Sequence, residues 1–251
     1  MKNWLFYYTA EYVLSAFTDG IVTINREDFN NINGKMFHKE SFFIKGIGVD
    51  SKRFRPYTAE EIKATREKLG YSSDSFILLY IAGFIPRKNH RFIIETLPAL
   101  KQQIPQLKVL FVGQGVLLEE IKNLARQLSV DDATHFLGFR NDVPQLAAIA
   151  DIGISASKQE GLGLGLAEEM LCSIPIVCTV DRGHKELIED GLNGFLYPQG
   201  DRKKFIELII MLYNNQELRH KTGLLGYKQV QRFVIENSLS SMTTIYKHYL
   251  K

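Results

Sequence analysis

Short apolar runs alternate with helix-patterned stretches across residues 58–197, and this rhythm limits the fold more than any other feature of the chain. Residues 76–82, 107–112, 135–137, 151–155, 174–179 and 194–197 have the length and apolar content of buried strands. Residues 58–69, 89–103, 116–128, 142–150, 166–172 and 184–190 read as the helices between them. Strands that are apolar on both faces and alternate with helices predict an α/β fold: a Rossmann-like parallel sheet with helices on both faces. Thr58 and Glu61 mark the first of these helix starts with a capping-box pattern. Ligands of open α/β sheets bind at the carboxyl ends of the strands, so chemistry is sought in the loops that follow them.

Residues 155–170, SASKQEGLGLGLAEEM, place Glu160 and Glu168 across a glycine-rich turn that opens a helix. Free backbone N–H groups and the helix dipole both point at such a turn, which makes it a place for an anion. A dinucleotide fingerprint, with Asp181 as the ribose acid, is one use for it and would make the chain an NAD-dependent oxidoreductase. The spacing opposes that reading. Gly161 and Gly163 are followed at the third site by Leu166, and Gly163 and Gly165 by Glu168, and neither side chain lets a helix pack closely on a pyrophosphate.

The run EGLGLGLAEEM, with ADIGISAS before it and SIPIVCTVDRGHKELIEDGLNGFLY after it, resembles the E-x7-E motif of the family 4 retaining glycosyltransferases. Their GT-B fold pairs two Rossmann-like domains, and the resemblance runs from about Gly46 to Tyr249. It implies that residues 51–232 are the nucleotide-sugar donor-binding domain. Residues 1–50 would be a remnant of the N-terminal, acceptor-side domain ending in the turn GIGVD, and residues 233–251 a C-terminal helix packing back on that remnant. The implied reaction moves a sugar, with retention, from a nucleotide sugar to a glycan or lipid-linked acceptor, as in bacterial capsular or exopolysaccharide assembly. A UDP-sugar is the family's commonest donor. The alternatives are a donor-binding module or relic inactive alone, or a subunit whose acceptor domain comes from a second chain.

The resemblance also assigns residues. In GFIPRKNH, Lys88 followed by Asn89 matches the lysine that binds the diphosphate, with Arg87 beside it, and Lys88 and Glu160 are the implied catalytic groups. The family's second basic residue earlier in this loop is missing, because Gly83 and Phe84 stand there. Arg87 and Lys88 are also readable as solvated charges at a helix start, although cations there oppose the dipole and ask for an anion. Glu168 is assigned to the nucleotide ribose, since a carboxylate accepts two hydroxyl hydrogen bonds at once. Glu160 would face the sugar or its phosphate, and the backbone N–H groups of Gly163, Leu164, Gly165 and Leu166 the diphosphate or sugar hydroxyls. Phe139 and Arg140, in FLGFRNDV, are placed near the nucleobase, while a turn with its N-cap at Asn141 or Asp142 explains the same stretch.

Gly113-Gln114-Gly115 is expected to pack near the site, and residues 183–186 match the loop after the motif helix, leaving Glu186 near the donor or in a helix cap. Glu169, where the family has a small residue, is expected to be exposed. No cofactor and no metal are expected, because basic side chains can take the charge of the departing diphosphate and no histidine or carboxylate spacing suggests a metal. His90 and His184 fall on loops beside the cleft, whereas His38, His135, His220 and His248 follow no pattern.

A chain of 251 residues that is 45% hydrophobic can bury a substantial core and is expected to be globular and soluble. The formal charge is only +3, with lysines and arginines dispersed among 28 acids, which argues against nucleic acid and for anionic ligands or an anionic membrane surface. Cys172 and Cys178 lack C-x-x-C spacing and read as buried thiols of a reducing compartment. The N-terminal run holds Trp4, Phe6, Tyr7, Tyr8, Tyr12, Val13 and Leu14, interrupted by Lys2 and Glu11. It is too short to span a bilayer and too aromatic for a signal peptide, so it predicts a helix over residues 1–17 with apolar positions on more than one face. Such a helix needs a cover, either the C-terminal helix or a partner. The expected location is the cytoplasm, with peripheral contact at the inner face of the membrane.

Overall fold

The computed structural model describes residues 2–250, with side chains from residue 6 onward, so Met1, Lys251 and the side chain of Trp4 lie outside the described residues. The chain forms two units, one of Met1–Gly48 with Arg232–Lys251 and one of Val49–Gln231.

The smaller unit contains α1 (Lys2–Ser15), β1 (Gly20–Thr23), α2 (Arg26–Ile32) and β2 (Glu40–Phe43), joined by the last helix, α11 (Ile235–Tyr249). β1 and β2 pair in parallel. Asn25 caps α2, its side chain accepting from the Asp28 backbone N–H, which satisfies one of the free donors of the first turn. α1 is anchored near its end, where Ser15 Oγ accepts from the Phe37 N–H at 3.0 Å and Tyr12 meets the Phe37 ring. Of the two covers considered for α1, the C-terminal helix does not bury its described apolar side chains. Phe6, Tyr7, Val13 and Leu14 stay exposed, because α11 lies against the two strands instead. There Tyr249 donates to Glu40 at 3.1 Å, and a Cβ added at Gly20 would stand only 2.3 Å from the Tyr249 hydroxyl. A tight turn at Gln231–Phe233 separates α11 from the helix before it, Gln216–Val230.

The larger unit begins with α3 (Ala59–Leu69), whose Thr58–Glu61 capping box is formed and whose end is closed by Gly70 in the left-handed region at φ 79°. Then come β3 (Phe76–Ile81), α4 (His90–Gln103), β4 (Leu107–Val112), α5 (Leu118–Gln127), β5 (Thr134–Gly138) and α6 (Val143–Ile149). The second half holds β6 (Ile152–Ser155), α7 (Leu164–Leu171), β7 (Ile176–Thr179), α8 (His184–Leu187), β8 (Phe195–Tyr197), α9 (Arg202–Asn214) and α10 (Gln216–Val230). The helix expected over residues 184–190 is thus a single turn.

All six strands are parallel, in the order β5-β4-β3-β6-β7-β8. β3 is buried on both faces, with Ile77, Leu78 and Leu79 inaccessible to solvent, as a strand covered by helices on each side must be. On one face Phe92, Ile93 and Leu97 of α4 and Phe205 and Ile209 of α9 close over Leu78, Val109, Phe111 and Ile154. The chain winds outward from β3 in one direction and, after returning at β6, in the other. The carboxyl ends of β3 and β6 are therefore the point where strand order reverses, and their following loops diverge to leave a crevice. Cys172 and Cys178 are buried free thiols. Among the described residues no helix is long and apolar enough to cross a membrane.

Glu169 corrects an expectation. It is completely buried, not exposed, because the helical period places it between Leu166 and Met170 on the inner face of α7. Its carboxyl occupies the space that a side chain at Gly153 would fill, with Oε2 only 1.9 Å from where that Cβ would stand. Neither oxygen has a hydrogen-bond partner, and burial pushes the carboxyl well above the ordinary glutamate value. The folded chain thus keeps a proton that the unfolded chain releases above about pH 4.5, so this group makes stability fall as pH rises from there. Replacing Glu169 by Met should stabilise the chain by about 1–3 kcal/mol at mildly alkaline pH, with the gain shrinking toward acid. Urea unfolding across pH measures this, and a gain that does not depend on pH would contradict it.

Candidate active site

The site forms where the loops after β3 and β6 face each other. Pro86 opens a single helical turn, Pro86–Lys88, where its fixed φ suits the start, and Asn89 in the left-handed region (φ 53°) redirects the chain into α4. The turn is held from below. Tyr80 donates its hydroxyl to the Lys88 carbonyl at 2.5 Å and lies 3.1 Å from Ser157 Oγ, so the two loops share one anchor. Phe84, which stands where a basic residue was missed, is fully buried and stacks on the His90 ring at 4.0 Å, with Tyr80 stacked on the same ring at 4.8 Å. Burial holds His90 down at about 4, so it is neutral near pH 7.

Lys88 Nζ forms a close ion pair with Glu160 Oε1, and the two side chains are only 17% and 9% exposed. Arg87 adds a longer contact of 3.5 Å to Glu160 Oε2 and donates to the Gln159 carbonyl at 3.1 Å. Burial opposes the Glu160 charge, but hydrogen bonding from Lys88 and Ser157 and the Lys88 charge outweigh it and leave the carboxyl below its usual value. The Glu160 loop is clamped to the loop after β7. Asp181 Oδ1 accepts from the backbone N–H groups of Glu160 and Gly183, both at 2.9 Å. Only glycine fits at 183, since a Cβ there would come within 2.7 Å of the Leu162 nitrogen. His184, also buried, lies under the glycine turn, and Glu186 follows half-buried on α8.

α7 starts from Gly163 in the left-handed region (φ 97°), with no side chain capping its first turn. Gly165 lets the helix approach β3 closely, as a Cβ there would be 3.1 Å from the Ile81 carbonyl. Gly163, Leu164, Gly165 and Leu166 line a small cavity of about 30 Å³ with Lys88 and Glu160. Cation, carboxylate and helix N-terminus thus share one opening, a setting suited to a bound anion.

Glu168 lies one turn farther along α7. Burial pushes its carboxyl up to about 7, with the Arg53 charge acting in the opposite direction. Arg53 also donates to the Asn141 carbonyl at 2.9 Å, tying the loop after β5 to the start of the unit. Sequence reasoning missed Arg53. Its signal was its place directly after the turn GIGVD, which only the folded chain connects to Glu168. Phe139 is exposed, and Arg140 grips Asp142 with two bonds of 2.7 and 2.6 Å. Asp142 holds the N-cap position of α6, but its side chain is taken by Arg140 and makes no cap bond. Gly113 and Gly115 pack as expected, with Cβ atoms there falling 2.2 Å from the Ala82 carbonyl oxygen and 2.5 Å from that of Phe84. Among the described residues, no three His, Cys, Asp or Glu side chains gather in a way that could hold a metal ion.

Residues 61–229 match the family described as glycosyl transferases group 1. The chain belongs to this family. EpsD of Bacillus subtilis (strain 168), whose name assigns it provisionally to the glycosyltransferases, is 39% identical over 251 residues, 100% of this chain and 66% of EpsD. N-acetyl-alpha-D-glucosaminyl L-malate synthase of Bacillus anthracis is 28% identical over 198 residues, 78% of this chain and 52% of that enzyme. The chain therefore spans from about half to just under two thirds of the length of these relatives. Among solved structures, Anabaena HepE in complex with UDP and glucose superposes with a TM-score of 0.85 at 22% identity, over 96% of this chain and 66% of HepE. WaaG, a glycosyltransferase involved in lipopolysaccharide biosynthesis, gives 0.77 at 19% identity, over 88% of this chain and 60% of WaaG. These likenesses show a shared GT-B type fold, with the Rossmann-like sheet expected from the sequence.

In this member of the group 1 family, Asp181 is what holds the Glu160 loop in place. Asp181→Ala would leave two buried backbone N–H groups without partners and should destabilise the chain by about 2–4 kcal/mol in urea unfolding. An unchanged unfolding midpoint would show that the clamp carries no weight.

Proposed function

We propose that this chain binds a nucleoside-diphosphate sugar, with UDP as the nucleotide, and serves in its retaining transfer to a glycan or lipid-linked acceptor in polysaccharide biosynthesis. The observation that carries the reading is the Lys88–Glu160 pair at the open N-terminus of α7. A diphosphate is a stronger anion than one carboxylate, so on arrival it would draw Lys88 and Arg87 to itself and free Glu160 for the sugar. The same cations, with the backbone N–H groups of Gly163 to Leu166, would then stabilise the charge that develops on the departing diphosphate. No metal ion or cofactor is needed for that step. Glu168 would receive the ribose hydroxyls, and Phe139 and Arg140 would border the base. The choice of UDP is supported by the HepE complex with UDP and glucose, and the polysaccharide setting by WaaG.

A second reading is favoured by the exposed apolar side chains of α1. These residues would be a donor-binding part that transfers sugar only when an acceptor side, carried by a second chain or by a further domain, is supplied to it. Peripheral contact with the cytoplasmic face of a membrane fits a lipid-linked acceptor.

Calorimetric titration of UDP in the presence of a chelator tests the donor site. Binding should be retained without metal and should tighten as pH rises through about 7, because Glu168 accepts hydroxyl hydrogen bonds best once ionised. Glu168→Gln should weaken binding severalfold and remove its share of that pH dependence. Failure of every nucleoside diphosphate to bind, or binding of NADH instead, would overturn the assignment. Sugar transfer by the chain alone would overturn the second reading.

A further inference from the structure

His184 carries an unused hydrogen-bonding atom beside the donor site. Its Nδ1 lies 2.8 Å from the Thr179 carbonyl oxygen, which can only accept, so Nδ1 bears the proton. The Thr179 hydroxyl fixes this arrangement from the other side by donating to the Ser157 carbonyl at 2.6 Å. Nε2 is therefore left as a bare lone pair. It is buried and has no partner in the protein. Burial outweighs the Thr179 hydrogen bond and the Asp181 and Glu160 charges, which pull the other way, and holds the imidazole below its ordinary value, in keeping with Nε2 as an acceptor.

The ring lies directly under the glycine turn, since a Cβ added at Gly163 would meet His184 Cδ2 at 3.2 Å and Nε2 at 3.6 Å. His184 lines the same cavity of about 30 Å³ as Lys88 and Glu160. A space of that size holds one oxygen of water or hydroxyl dimensions, so a diphosphate on Lys88 and the first turn of α7 would sit at its mouth and leave the inner space to a smaller group. Its polar walls offer one cationic donor, Lys88, and two acceptors, Glu160 and His184 Nε2. A phosphate oxygen brings only lone pairs and would be repelled by both acceptors. A hydroxyl can accept from Lys88 and has one proton to give, and Nε2 is the acceptor that lacks a partner, because Glu160 is already paired with Lys88.

We propose that His184 is a specificity-determining residue whose Nε2 accepts a hydrogen bond from one hydroxyl of the donor sugar, inserted between Lys88, Glu160 and the glycine turn. This rests on the nucleotide-sugar reading given above. It adds that the donor carries a free hydroxyl at the ring position that reaches beneath the turn, so that sugars lacking it are discriminated against at this point. A buried acceptor left unpaired by the wrong sugar is what makes such discrimination strong.

The test uses the whole chain and its His184→Phe and His184→Gln variants, titrated with UDP, with UDP-glucose, UDP-galactose and UDP-N-acetylglucosamine, and with monodeoxy forms of the tightest binder. His184→Phe should leave UDP affinity within about twofold, which also shows that the variant is folded. The same substitution should weaken the preferred UDP-sugar about tenfold. His184→Gln, which keeps an acceptor, should recover part of the loss. One deoxy sugar should bind wild type about tenfold more weakly than its parent, with no such difference in His184→Phe. Equal losses for UDP and UDP-sugar in His184→Phe would mean a structural role or a resident water, and would overturn the inference. So would a deoxy series in which every position behaves alike in wild type and variant. If wild type binds none of these nucleotides, the donor reading itself fails, an outcome distinct from the other two.

Discussion

One ion pair, between Lys88 and Glu160, is the contact around which the rest of the site is arranged. Neither charge is freely solvated, so the pair persists only because its surroundings hold both partners in register. Tyr80 anchors the lysine loop through the Lys88 carbonyl and touches Ser157 on the opposing loop. Asp181 fixes the glutamate by its backbone. The two loops meet because β3 and β6 are neighbours at the point where strand order reverses, so the topology of the sheet decides where the pair forms.

Three glutamates within ten residues meet three environments, and their properties part accordingly. Glu160 is kept ionised by Lys88, Glu168 is lifted to about 7 by burial, and Glu169 is buried without a partner and retains its proton. Glu160 lines the cavity on the loop before α7 and Glu169 faces the sheet, while Glu168 lies beside it on α7 under the Arg53 charge. Glu169 thus costs stability at the base of the same helix whose N-terminus serves the site. Its counterpart Gly153 gives it room, and the two must be read together.

Much of the larger unit was legible because its signals are local. Apolar runs such as 107–112 gave strands to the residue, and Thr58 with Glu61 forms the expected cap. The motif glycines likewise placed Glu160 and Glu168 beside an open helix start. What the sequence hid depends on contacts between distant segments. Glu169 looked like one more surface acid, because nothing in its neighbours reveals that Gly153 leaves space beneath it. Arg53 and His184 acquire their places only when residues 53 and 141, or 163 and 184, are folded against each other. The C-terminal helix was expected on residues 1–50, with α1 one candidate for its place, and complementarity between Tyr249, Gly20 and Glu40 seats it on the strands of that segment.

In the proposed donor site, the Lys88–Glu160 pair is a resting state that the donor's diphosphate displaces. The most direct measurement is the affinity of UDP for Glu160→Gln, which removes the competing carboxylate charge and keeps the shape. The account predicts that this variant binds UDP severalfold more tightly than wild type, and that most of the gain disappears when Lys88 is also replaced by Ala. Weaker UDP binding by Glu160→Gln, with Lys88 intact, would contradict it.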